Sequence, residues 1–142
     1  MVTKKFSVKL TKVSNSDLRF LYNLLKERDS RVNISHRMMP TFNEHVKFVL
    51  SKPYSNWYII KYGQKKVGSC YITHPLNEIS IHIKKEMQSK NIQQEVLQII
   101  MKKNPKQRYI ANVNPSNKKA IRFFKNNGFK LIQYTYELWK QA

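Results

Sequence analysis

Apolar and polar residues alternate from the start of the chain. Phe6, Val8, Leu10 and Val13 fit a first strand. Ser14-Asn15-Ser16-Asp17 then supplies side chains suited to starting a helix. Leu18, Leu21, Tyr22 and Leu25 recur at helical spacing, which predicts a helix over 16–29. The stretch from Asp29 to Pro40 is polar and without period. Thr41 is placed to cap a second helix carrying Phe42, His45, Val46 and Val49 on one side, with Glu44 in its first turn. Three strands follow, at 57–62, 66–73 and 78–84. They are joined by Tyr62-Gly63-Gln64-Lys65 and His74-Pro75-Leu76-Asn77, both short turn sequences. This is an antiparallel meander.

The period then changes. Ile92, Val96, Leu97, Ile99 and Ile100 mark a helix over 91–103, ended by Asn104-Pro105. Residues 109–113 read as a short strand. Asn114-Pro115 has the form of an N-cap followed by a proline at the first helical position. Ala120, Ile121, Phe123 and Phe124 give that helix an inner face, and Asn126-Asn127-Gly128 stops it. Residues 129–138 read as a last strand. The order is β-α-α-β-β-β-α-β-α-β, in one domain over 1–142. A strand-helix-strand passage near the end implies a right-handed parallel crossover. The expected class is therefore α/β, with a mixed sheet and helices on both faces.

Composition narrows the function less than the pattern does. With 41% hydrophobic and 12% aromatic residues the chain can build a core, unlike a disordered segment. No apolar run approaches the roughly 18 residues that a membrane span requires, and no apolar stretch follows Lys4-Lys5 as a secretory signal demands. Cys70 is the single cysteine, which suits a reducing compartment such as the cytoplasm. The net charge is +19. It is spread evenly, with +9 in residues 1–83 and +10 in 84–142. That describes a basic surface better than a dedicated nucleic-acid reader, and such a surface attracts phosphorylated small molecules.

The segment Asn114-Pro115-Ser116-Asn117-Lys118-Lys119-Ala120-Ile121-Arg122-Phe123-Phe124-Lys125-Asn126-Asn127-Gly128-Phe129 resembles the corresponding stretch of the GNAT superfamily of N-acetyltransferases. The family has an asparagine, an alanine three residues on, and then Gly-Phe. The order of elements is similar over nearly the whole chain. The resemblance implies acetyl-CoA as co-substrate. It implies a pyrophosphate loop of the form Arg/Gln-x-x-Gly-x-Gly/Ala, whose matching residues are Gln88, Ser89, Lys90, Asn91, Ile92 and Gln93. Gln88 and Ile92 fit. Asn91 and Gln93 replace the two glycines. Asparagine tolerates the left-handed conformation that the loop needs, whereas Gln93 places a side chain near the phosphates. Ile83 and Lys84 precede the loop, and Lys84, Lys85 and Lys90 add positive charge. Asn117 and Phe124 complete the expected cofactor side. Phe124 stands where the family often has a tyrosine acid, so Tyr134 or Tyr136 would have to substitute, or the thiolate leaves unaided.

Acetyl transfer also requires a proton acceptor. Glu78, Ser80 and His82 share one face of their strand, with isoleucines on the other. An inner strand is usually apolar on both faces, so this polar row marks a site or a wet groove. Glu78 is the first candidate base and His82 the second, with Ser80 facing the acceptor. The resemblance places the acceptor pocket near His36, Arg37 and His45. There Arg37 suits an anionic group, and the 36–45 stretch is vaguely similar to a branch acting on nucleotide-linked amino sugars. No histidine or cysteine spacing matches a metal site. The family commonly has one further strand after Gly-Phe, so the last strand here is an exposed edge or pairs with a second subunit in a homodimer. The expected activity is transfer of an acetyl group from acetyl-CoA to a primary amine of a small molecule. The alternatives are a GNAT-like binding protein without catalysis and, further off, a basic nucleic-acid-binding module.

Overall fold

The computed structural model describes residues 7–28 and 38–140. Four strands form one antiparallel sheet in the order β1-β2-β3-β4: β1 (Val8–Lys12), β2 (Asn56–Tyr62), β3 (Lys65–Thr73) and β4 (Glu78–Ile83). The register sets Leu10 opposite Ile60, Tyr58 opposite Cys70, and Cys70 opposite Ile81. It sets Trp57 opposite Tyr71, Tyr71 opposite Ser80, and Ser69 opposite His82. Directly opposed residues share a face, so these are the two faces of the sheet. At Gly68 the backbones of β3 and β4 come unusually close: a Cβ there would overlap the His82 carbonyl oxygen.

Each face is covered by helices. On one side lie Leu10, Tyr58, Ile60, Cys70, Ile72, Ile79 and Ile83. Helix α3 (Ile92–Lys103) lays Ile92, Val96, Leu97 and Ile100 on them, all fully buried. Each such aliphatic side chain contributes about 1.5–3 kcal/mol on leaving water. On the other side α1 (Leu18–Glu27) and α2 (Phe42–Leu50) pack Leu21 and Val49 on Ile59. A 3-10 turn, Asn15–Asp17, leads into α1. Asp17 is buried there and meets Lys66 Nζ at 2.7 Å. Burial alone would raise its pKa, but the Lys66 contact and the bond from the Ser14 amide outweigh that and lower it. Helix α2 starts at a capping box, with Glu44 N–H donating to Thr41 Oγ1 and Thr41 N–H to Glu44 Oε1. No helix among the described residues is long and apolar enough to cross a membrane.

The elements up to residue 103 stand within a few residues of their expected positions. The final third differs in three ways. Residues 109–113 are not a strand: they join the sheet at one parallel bridge, with Ile79 N–H donating to the Ile110 carbonyl (2.9 Å) and Ile110 N–H to that of Asn77 (3.1 Å). The parallel sense agrees with a crossover, but beyond this bridge β4 and the segment part company. The sheet is therefore antiparallel with one parallel contact, rather than fully mixed.

Helix α4 (Lys118–Asn126) begins three residues later than Asn114-Pro115 suggested. Asn114 Oδ1 accepts from Ser116 N–H at 2.9 Å, closing a local turn that competes with the helix. Asn117 is the actual N-cap, its Oδ1 accepting from Ala120 N–H. The end of α4 is as expected. Gly128 is left-handed at φ +87°, and the Gly128 and Phe129 amides donate back to Lys125 and Phe124.

Residues 130–140 form no strand and take no part in the sheet. Leu131, Ile132, Tyr134, Tyr136 and Leu138 are 64–89% exposed. The alternation that suggested a strand is present, but a strand also needs a neighbouring edge, and none among the described residues pairs with it.

Candidate active site

A cavity of about 470 Å3 lies between the sheet and the pair α1 and α2, within the range of small-molecule sites. Its floor is the polar face of β3 and β4: Ser69, Tyr71, Glu78, Ser80 and His82. Alternation along β4 sends its isoleucines down to α3 and these polar side chains up into the space. Leu21, Leu24 and Leu25 of α1 and His45 and Phe48 of α2 form the roof. Arg28, at the end of α1, and Asn112 reach its rim.

One wall is aromatic. Tyr54 and Tyr71 stack with ring centroids 3.6 Å apart and nearly parallel, and Trp57 meets Tyr54 edge-on at 4.8 Å. Phe48 abuts both Tyr54 and Trp57. The Trp57 indole N–H is buried without a hydrogen-bond partner among the described residues. Tyr71 hydrogen-bonds Ser80 and Tyr54. Burial raises both phenol pKa values, and the nearby Glu78 carboxylate raises them further. The Glu78 carboxylate itself has no hydrogen bond or ion pair among the described residues. His82 is neutral at physiological pH: burial first, and then the positive charge of Arg28, push its pKa down to about 3. Burial likewise lowers that of Arg28.

On the other side of β4 its edge is open. The bridge at Ile110 fixes which backbone groups face outward: those of Ile79, and by alternation those of Ile81 and Ile83. The amides of Ile81 and Ile83 make no backbone bond to the 109–113 segment. The chain then runs through a 3-10 stretch, Lys85–Lys90, into α3. Asn91 takes the left-handed conformation at φ +57°, and no side chain caps the first turn of α3. A helix start with free amides carries partial positive charge and suits an anion.

The sequence-selected residues fall into three groups. Glu78, Ser80 and His82 come together on the cavity floor. Ile83, Lys84, Gln88, Ser89, Lys90, Asn91, Ile92 and Gln93 follow one another from the end of β4 into α3, but not all are free to bind. Gln88 Nε2 donates to the Ile83 carbonyl at 3.0 Å. Lys84 is 3.1 Å from Glu86. Ile92 is fully buried in the core. Gln93 is half-buried and Lys90 exposed, both at the helix start. The third group belongs to α4 and the segment after it. Asn117 caps α4, and Phe124 packs edge-on against Phe123 and Phe129. Tyr134, 73% exposed beyond Phe129, does not line the cavity. His36 and Arg37 lie outside the described residues.

Tyr54, Trp57, Tyr71 and Arg28 were not singled out from the sequence. Tyr71 was within reach, because a hairpin register places it opposite Ser80. Arg28 was not, since only the docking of α1 brings it to the cavity.

No protein-family model and no curated protein matches the sequence. Solved structures do match the fold. A domain from Methanocaldococcus jannaschii superposes with a TM-score of 0.79 at 20% identity, covering 92% of each chain. The spermidine N-acetyltransferase of Vibrio cholerae, solved with CoA and spermine, gives 0.79 at 17%, covering 96% of this chain and 88% of its own. An acetyltransferase from Thermus thermophilus gives 0.72 at 18%, with 90% of each covered. Likeness at such low identity speaks for architecture alone, and that architecture is the α+β fold that these acetyltransferase structures share.

Proposed function

We propose that the protein transfers an acetyl group from acetyl-CoA to a primary amine of a small molecule, acting in the cytoplasm. The observation that carries this is the double use of β4. One edge offers the unengaged amides of Ile81 and Ile83, and one face offers a partnerless carboxylate, Glu78, in a ligand-sized cavity. The amides suit the thioester and the arm of CoA, and the start of α3, with Lys90 beside it, suits the pyrophosphate. That the neighbouring Vibrio cholerae enzyme was solved with CoA supports the reading. Glu78, directly or through a water, takes the proton of the attacking amine. The amine nitrogen bonds the carbonyl carbon, the carbon–sulfur bond breaks, and the thiolate takes a proton from solvent. Neutral His82 is too weak a base to hold that proton. Phe124 has none to give, and Tyr134 stands away from the cavity, so neither enters the step.

Calorimetric titration with acetyl-CoA tests the first half. Micromolar binding, on the order of −8 kcal/mol, is expected, and Gln93→Gly should tighten it by opening the helix start. No binding by either protein would overturn the reading. Binding without turnover of any amine would favour the second reading, a GNAT-like binding protein, for which Gln93 and Phe124 speak. A nucleotide-linked amino sugar stays within the class of acceptors proposed. We further propose a homodimer built on the exposed residues 131–138. Five large apolar side chains in the open are unusual for a monomer, and together they present on the order of 700 Å2, close to one partner's share of a standard interface.

A further inference from the structure

We infer that the acceptor carries an anionic group as well as its amine, with the ammonium at Glu78, a flat or apolar body along the rings, and the anion at Arg28. The inference rests on the acetyl-transfer reading and names its substrate class. Glu78 is the sole acid among the described lining residues, and it is without a partner. A carboxylate facing a cavity with no cation bonded to it is a place for one. Aromatic faces beside it favour the same ammonium.

The cavity lining also carries the opposite sign. Arg28 lines it, and its positive charge reaches Tyr54, Tyr71 and His82. Tyr54 and Tyr71 thus sit in the fields of both Glu78 and Arg28. Arg28 has a contact of its own, but a guanidinium has five donors in a planar fork and takes a carboxylate or phosphate alongside. A polyamine fits poorly here. It would bring several positive charges to a cavity whose described lining holds one carboxylate and one guanidinium, in a chain of net charge +19. A zwitterionic amine matches both charges of the described lining.

The test uses pairs that differ only in the anion: phenylalanine against 2-phenylethylamine, and glucosamine 6-phosphate against glucosamine, with spermidine as the polycation. Affinity for the CoA-saturated protein is read by calorimetry, and KM for acetyl transfer by release of the CoA thiol. We expect the anionic member of at least one pair to bind tenfold or more tightly than its partner, and spermidine to bind more weakly than that member. Which pair responds tells carboxylate from phosphate. Arg28→Gln should remove most of the difference, Arg28→Lys should restore part of it, and unchanged melting temperatures would show that both variants fold. Equal binding within both pairs, a preference for spermidine at low salt, or equal losses for both members in Arg28→Gln would each overturn the inference. Transfer to spermidine alone would leave the acetyltransferase reading standing and sink this one. An anion preference without transfer to any amine would do the reverse.

Discussion

At the level of single residues, β4 shows what alternation reveals and what it conceals. Glu78, Ser80 and His82 were legible as a polar row because the strand period is two. Their partners across the sheet were not, because register and helix docking are tertiary facts. Glu78→Gln keeps the shape and removes the base. It should lower kcat by about 10²–10⁴-fold with little change in acetyl-CoA affinity, as steady-state kinetics beside calorimetry will show. His82 makes a separate prediction. Its folded pKa lies below the ordinary value, so the unfolded chain binds more protons between about pH 3 and pH 6.5. Stability is therefore full above that window and falls as the pH drops through it, by at most about 1.4 kcal/mol per pH unit from this group. Urea unfolding at pH 7, 6 and 5 should show the decline, and His82→Gln should flatten it. Asp17, held low beside Lys66, adds a loss of the same sign at lower pH.

Among the elements, the helices and the meander were readable because each has its own period and its own stop signal. The start of α4 was not, because two asparagines three residues apart are equally good caps. Asn114 closed a turn on Ser116 and left the helix to Asn117. The start of α3 carries the sharper consequence. Asn91 is left-handed with nothing capping the turn after it, so its worth lies in its tolerance of that conformation. Asn91→Ala should cost about 1 kcal/mol and weaken acetyl-CoA binding, while Asn91→Gly should preserve both. Chemical denaturation and the same titration decide it. Equal behaviour of the two variants would mean that the backbone here is not what sets the site. A link that no local pattern announces ties the two ends of this region together. Gln94 and Asn127 exchange side-chain amide bonds of 2.7 and 3.0 Å between α3 and the end of α4.

On the scale of the molecule, charge and the final segment set behaviour. The even spread of positive charge was plain in the sequence. The fate of residues 129–138 was not: their alternation is that of a strand, but whether a strand forms depends on an edge elsewhere. If a second copy supplies it, Tyr136→Asp with Leu138→Lys should turn a dimer into a monomer. Sedimentation velocity will show this, and a wild type that is monomeric at all concentrations would refute it. Such an arrangement ties folding to mass action. Dilution would then draw the chain toward its less stable separate form, and the melting temperature would climb with protein concentration by the logarithm of association. The amount of protein in the cell would itself become a determinant of how long each copy stays folded.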